Sequence, residues 1–520
     1  MSPRTTGRGI RVTFMGLESA RRRGAVVGMV CNAINASIGF VFVPEYIRQL
    51  GVENMAYVGL LTSMLALASV LDFGLGSAVS LRIASAAQPG RLVGHDAASV
   101  RRLLLWTSLV SMAIAAAGIL MRGPFASWLF PAGSRVPEAA GLIAALSGLC
   151  LASRMAEGVA RGGMVAAGFQ ARSAMFAAGF AVVRVVGAAL LLKLPGMDLS
   201  AFVVWNALVL GASALNAMVQ LLTLVRAGSV GPSDGPQSVR LRRFAAGAFA
   251  TSAMGVLATQ MDRIYLQGRV PESEMAAYCI AAAVLSVRGM FVGPMLQAFI
   301  PSMTRHLAKP GSASAQDHFD RFSHVLAFVL IPPLLILALM PDRFLFAWTA
   351  NTEVAAEGAV SLRALSIAAI LNVLSAIVHA LELAAGRTTQ GLRFAACACV
   401  TCWMVLVLLI DRLGAAAGGV AHIVIYSMYL TVFAPRVLSS QFGRSIWRWM
   451  AGVAWLPVCA ALGAAGLSSL WLDGSHSRSG DLLRIAVPIV AAWVACMPFL
   501  ARRVRLKATP RGPQGLEPHS

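Results

Sequence analysis

Apolar runs of twenty or more residues recur along this 520-residue chain, separated by short breaks rich in Gly, Pro or charge. A backbone placed in hydrocarbon has to satisfy its own hydrogen bonds, and a helix does so. About 20 apolar residues then cross a bilayer core ~30 Å thick. The pattern predicts fourteen membrane helices, over 24–50, 54–86, 101–121, 139–160, 173–193, 199–226, 241–267, 275–304, 321–341, 358–385, 392–411, 414–436, 446–471 and 482–501. No soluble domain fits between them. Composition agrees: 58% of residues are hydrophobic, only 12% are charged and the mean hydropathy is +0.73, whereas soluble domains carry about 25% charge. The fold class expected is an all-α polytopic membrane protein.

The net charge of +21 would suggest nucleic acid in a soluble protein. Here basic clusters such as Arg21, Arg22 and Arg23, or Arg502, Arg503 and Arg505, flank apolar spans, where topology alone requires them. No nucleic-acid partner is therefore expected. Counted over alternate loops, Lys and Arg gather overwhelmingly on the side that holds both termini, so both are predicted cytoplasmic. The first run, from Gly24 to about Leu50, lacks a small-residue cleavage site and reads as a retained helix. The eight cysteines all lie in apolar stretches. Cys397, Cys399 and Cys402 fall within one predicted helix and read as core residues, not metal ligands.

The chain also resembles itself. EYIRQLGVENMAY at 45–57 aligns with DRIYLQGRVPESEMAAY at 262–278, pairing Glu45 with Asp262, Gly51 with Gly268 and Tyr57 with Tyr278. Helices 1 and 2 then correspond to helices 7 and 8. A repeat of six helices returns the chain to its starting side, so the copies run parallel, related by an axis along the membrane normal. The organisation expected is a basic N-terminus 1–23, an N-lobe 24–226, a cytoplasmic linker 227–240, a C-lobe 241–436, two further helices within 437–501 and a basic tail 502–520.

Twelve charges fall inside the predicted spans: Arg48, Arg82, Arg154, Arg184, Arg263, Arg288 and Arg363, with Glu45, Asp72, Glu157, Asp262 and Glu382. Each costs about 2.5–3.5 kcal/mol at a helix centre, so each should face protein or water. Arg288 and Arg184 are near mid-span, while Arg48, Arg82, Arg263 and Arg363 are near enough to helix ends to snorkel. Arg154 with Glu157, and Glu45 with Arg48, are spaced to neutralise each other. Seven arginines and no lysine suit an anion, because guanidinium stays charged and grips phosphate through two parallel bonds. Arg288 and Arg184, helped by Arg48 and Arg263, are the candidate diphosphate ligands; Asp262, Asp72 and Glu45 are candidates for coupling to a cation. His379 and Glu382 share a helix face but have no third ligand nearby, so no metal is expected. No hydrolase, zinc-protease or P-loop motif occurs, so neither an enzyme nor an ATP-driven pump is expected.

The segments VPEYIRQLGVENMAYVGLLTSMLALASVLDFGLGSAVSLRIA at 43–84 and TQMDRIYLQGRVPESEMAAYCIAAAVLS at 259–286 resemble the polysaccharide flippases of the multidrug/oligosaccharidyl-lipid/polysaccharide (MOP) superfamily. The resemblance is clearest in these stretches and compatible in helix order over about 20–440. It implies two rocking six-helix lobes that move an undecaprenyl-diphosphate-linked oligosaccharide across a bacterial inner membrane. Coupling would be to an H+ or Na+ gradient, without any other cofactor. Lipid substrate, membrane lipids and other polysaccharide assembly proteins are the partners it implies. Three alternatives stay open: a cation-coupled exporter of small cationic compounds, which would use acidic cavity residues; a peptidoglycan-precursor flippase, a group in which fourteen helices are common; and a membrane-embedded glycan polymerase or ligase, which needs a larger outer loop than any here.

Overall fold

The computed structural model describes residues 27–68 apart from 29, 32, 35 and 36, together with 94–129, 140–167, 169–226, 253–308, 312–471 and 478–505. Helix is the regular secondary structure of these residues, joined by short turns, with no strand among them. In chain order the helices are α1 (37–50), α2 (Asn54–Ala68), α3 (Gly94–Leu120), α4 (Arg122–Leu129), α5 (Ala140–Ala166), α6 (Gln170–Leu191), α7 (Leu199–Arg226) and α8 (253–266). They continue as α9 (Glu272–Ser286), α10 (Gly289–Leu307), α11 (Ser312–Leu339), α12 (Pro341–Thr349), α13 (Thr352–Ala384), α14 (Thr388–Leu413), α15 (Ala416–Met428), α16 (Ala434–Phe442), α17 (Ile446–Trp471) and α18 (Arg478–Arg505).

Among the described residues, ten helices are long and apolar enough to cross a membrane, or eleven if the bent pair α3–α4 is one span. The expected spans 24–50, 54–86 and 241–267 lie partly outside the described residues. The structure lengthens several others. The span expected to end at 160 continues to Ala166, carrying Arg161 inside a helix, because that side chain turns toward protein and need not end the apolar run.

Departures from straight helix have local causes. α3 and α4 meet at 72°, where the ring of Pro124 would collide with the Leu120 carbonyl of a continuous helix. A π turn, Tyr429–Phe433, joins α15 to α16; Pro435 just beyond it cannot donate to the Thr431 carbonyl, and the widened turn accommodates that loss. The span expected over 275–304 is broken at Val287 and Arg288, so Arg288 sits in a turn between α9 and α10. The paired glycines of the repeat behave alike: Gly51 and Gly268 have φ of 83° and 71°, a left-handed conformation that ends a helix without the penalty a Cβ would bring.

The chain divides into two compact units, Met1–Met290 with Ala395–Gly418, and Phe291–Phe394 with Gly419–Ser520. In the first, α5 packs against α3 and α7, and α2 against α9. Close approach of α3 to α5 is made at Gly118 and Gly148, where a Cβ on either would meet the Cα of the other. In the second unit, α11 packs on α13, α17 and α18. Helices α8 and α9, the repeat counterparts of α1 and α2, thus pack with the first helices of the chain.

A cationic cavity in the first packing unit

Three residues of α5, Arg154, Glu157 and Arg161, are spaced at i, i+3 and i+7, so they project from one face two turns long. That face borders a cavity of about 230 Å³ completed by Arg184 of α6, Ser213 of α7, and Thr62, Leu65 and Ala66 of α2. Glu157 is at the centre of the polar network. Its Oε2 is 2.8 Å from Arg154 Nη1 and its Oε1 is 3.6 Å from Arg161 Nη1. Ser213 Oγ donates to the same Oε1 at 3.0 Å.

Arg184 is held differently. Its Nη1 donates to Asn206 Oδ1 at 3.3 Å, and Asn206 is itself anchored by Nδ2 to the Phe202 carbonyl at 2.8 Å. Trp205 Nε1 donates to the Arg184 backbone carbonyl at 3.0 Å, fixing this segment of α6 against α7. No carboxylate pairs with Arg184 among the described residues. The cavity therefore gathers three guanidinium groups and one carboxylate. With Glu157 shared between two arginines, it offers an anion two uncompensated positive charges.

The other candidates lie elsewhere in this unit. Arg48 is exposed at the end of α1, 3.3 Å from Glu45 Oε2, and Lys193 Nζ is 3.4 Å from Glu45 Oε1. An exposed pair of this kind contributes about 0–1 kcal/mol. Arg48→Ala is accordingly expected to change stability by no more than about 1 kcal/mol and transport, measured in proteoliposomes, by less than about fivefold; a loss approaching that of a cavity arginine would return Arg48 to the site. Arg263 of α8 donates through Nη1 to Ser63 Oγ of α2 at 2.8 Å. Asp262 is buried and accepts a hydrogen bond from Tyr278 of α9. Arg288 does not line the cavity, and its guanidinium has no hydrogen-bond or ion-pair partner among the described residues. Asp72 and Arg82 lie outside the described residues.

Of the four arginines expected to bind diphosphate, the structure brings only Arg184 to this cavity. In sequence Arg154 is spaced to be neutralised by Glu157, and Arg161 lies one residue past the expected span 139–160. The signal that would have found them is the helical spacing of two arginines about one glutamate, which leaves one cation in excess.

Among the described residues the architecture is all-helical and multi-pass, with a charged cavity inside a helical unit, the kind of frame on which membrane transporters are built. Solved structures share the fold. One is the lipid II flippase MurJ in an inward-closed conformation, with a TM-score of 0.62 and 9% identity, covering 94% of this chain and 100% of that one. An inward-facing multidrug resistance MATE transporter of the MOP superfamily has a TM-score of 0.57 and 13% identity over 80% of this chain and 96% of its own. A MOP superfamily transporter from Pyrococcus furiosus, noted for a binding pocket of reverse polarity, gives 0.55 and 14% over 81% and 96%. No curated protein matches in sequence. The family model for polysaccharide biosynthesis proteins matches residues 22–307, more than half of the chain, and the chain belongs to that family, within the MOP superfamily of flippases and transporters.

Proposed function

We propose that this protein flips an undecaprenyl-diphosphate-linked oligosaccharide from the cytoplasmic to the outer leaflet of a bacterial inner membrane, for assembly of cell-surface polysaccharide. The observation carrying this reading is the convergence of Arg154, Arg161 and Arg184 on one cavity with Glu157 as the single acid. Planar guanidinium groups suit the paired oxygens of a diphosphate, and in a site of low dielectric two surplus cations favour a doubly charged anion. Size points the same way. Pockets that engulf a drug-sized ligand occupy about 300–1,000 Å³, and this one, at about 230 Å³, suits the diphosphate alone, leaving glycan and isoprenoid outside it.

In this reading fourteen helices place both termini in the cytoplasm, and lobes 24–226 and 241–436 alternate access to the site. A cationic drug would meet two like charges in the cavity, which disfavours the multidrug alternative. A peptidoglycan-precursor flippase would need the same diphosphate grip and differs only in the glycan. Purified protein in proteoliposomes should therefore translocate a polyprenyl-diphosphate oligosaccharide and leave a fluorescent cationic dye behind. Transport of the dye alone would refute the reading; transport restricted to the muramyl-pentapeptide lipid would move the protein to the peptidoglycan branch.

A further inference from the structure

Glu382, near the C-terminal end of α13, is only 1% exposed although it carries a carboxyl group. Its Oε2 is 3.2 Å from His379 Nδ1 and accepts from the Tyr429 hydroxyl at 3.3 Å, while Oε1 is buried with no hydrogen-bond partner among the described residues. Two elements build this arrangement. His379 and Glu382 are one turn apart on α13, and Tyr429 opens the π turn that Pro435 imposes. Around them the walls are aromatic: the Tyr429 ring meets Phe394 edge-on at 4.7 Å and stacks with Phe433 at 6.2 Å. His379, with its side chain 34% exposed, is less buried than Glu382.

A carboxylate with one oxygen unpaired among aromatic carbons is poorly stabilised as a bare anion. A hard cation would ask for six or more oxygen ligands, and the contacts here supply one carboxylate and one phenol. No group of three His, Cys, Asp or Glu suited to a metal occurs among the described residues. A proton needs a single vacant lone pair, which Oε1 has. We propose that Glu382 is a proton-binding site of the second packing unit, taking a proton on the unpartnered Oε1 while His379 and Tyr429 hold Oε2. Occupancy neutralises the charge at the junction of α13 and the π turn, so it is sensed where the helix is already irregular. π turns inside membrane helices are recurrent sites of function.

The titratable groups in contact with Glu382 are His379 from its own helix and Tyr429 from the π turn. α14 presents Phe394, which is uncharged. From α10, Thr304 Oγ1 donates to the Ala384 carbonyl at 3.2 Å, and the adjacent Arg305 and His306 follow at that helix end. His306 stacks on His318 of α11 at 4.4 Å, and the same end of α11 carries Asp317, Asp320 and Arg321, with Asp320 held by Arg444 at 2.9 Å. Arg387, just past α13, donates to Ser440 of α16 at 2.7 Å. These charges have partners of their own or lie beyond the helix end, which leaves His379 and Tyr429 as the titratable groups in contact with Glu382.

Infrared difference spectra of the full-length protein in detergent, recorded without substrate from about pH 5 to 9, test the site. A protonated-carboxyl band is expected to fade as pH rises, to be absent in Glu382→Gln and to return with a moved midpoint in Glu382→Asp. Tyr429→Phe keeps the carboxyl and removes the donor that favours its anion, so its midpoint should rise. A band unchanged by Glu382→Gln, or one constant across the whole range, would overturn the assignment. Should Glu382→Gln not fold, an unmoved midpoint in Tyr429→Phe would overturn it equally. No lipid substrate takes part, so the outcome is independent of what the protein carries.

Discussion

Replacing Arg184 by alanine is expected to lower translocation of a polyprenyl-diphosphate glycan by about 10- to 100-fold, at an unchanged level of membrane-inserted protein. The magnitude follows from hydrogen bonds to charged groups, worth about 1.5–3 kcal/mol each when a buried partner is removed. The sign on stability separates function from structure. Arg184 bonds only the neutral Asn206 through its side chain, and the Trp205 bond goes to its backbone carbonyl, which alanine keeps. Removing a buried charge that has no counter-ion relieves a desolvation cost, so thermal stability should hold or rise while transport falls. A structural arginine would show the reverse. Arg184→Lys keeps the charge but loses the planar fork, and should fall between the two. Glu157→Gln keeps an acceptor for Ser213 while releasing Arg154 and Arg161 from their shared carboxylate. Its affinity for inorganic pyrophosphate, read by calorimetry, should increase. If pyrophosphate binds neither wild type nor Glu157→Gln and Arg184→Ala transports normally, this cavity does not hold the diphosphate.

Much of this architecture is legible in the sequence because membrane insertion imposes a coarse rule that composition reports directly. Runs of apolar residues became helices wherever the structure describes them, and the pairing of Gly51 with Gly268 found two residues with the same left-handed backbone. Other features depend on contacts that no single segment announces. Glu45 and Asp262 occupy equivalent places in the repeat, yet Glu45 is held by the exposed Arg48 and Lys193, while Asp262 is buried against Tyr278. Tyr57, the counterpart of Tyr278, reaches Glu272 of α9 instead, at 2.5 Å. Depth within a span does not say which arginines share a cavity. Arg288 is central in the candidate span Glu272–Leu307, yet it lies in the turn at 287–288 and does not line the cavity of Arg184. Arg161 lies one residue past the expected span 139–160, and helical geometry carries it onto the face of Arg154 and Glu157. Asn206 and Ser213, uncharged and unremarkable in sequence, became relevant only when α7 was placed beside α5 and α6.

The second large effect is expected at Gly59, where α2 meets α9. A Cβ at this position would overlap the side chain of Cys279, so the two helices approach at a point where one contributes no side chain at all, the device by which membrane helices come into close contact. Two polar contacts flank it: Tyr57 donates to Glu272 Oε1, and Arg263 of α8 donates to Ser63 of α2. Gly59→Leu cannot be absorbed by a rotamer change alone, because the obstructing atoms include the Cys279 Cβ, which moves only with its backbone. Overpacking of this kind costs about 1–3 kcal/mol or more, and separating α2 from α9 would also break the Tyr57 bond. The reporter is built in, since Cys279 is buried in the native packing. With the exposed Cys397 and Cys459 replaced by serine, Cys279 should resist maleimide in the parent and become reactive in Gly59→Leu, accompanied by a fall in melting temperature. Gly59→Ala should show a smaller change, and pairing it with Cys279→Gly, which removes both obstructing atoms, should recover part of the loss. That recovery is the discriminating result: residues in contact are non-additive, whereas a glycine needed only for helix flexibility would give the same penalty with either residue at 279. Equal reactivity of Cys279 in Gly59→Leu and its parent would show that α2 and α9 are not held together at this point.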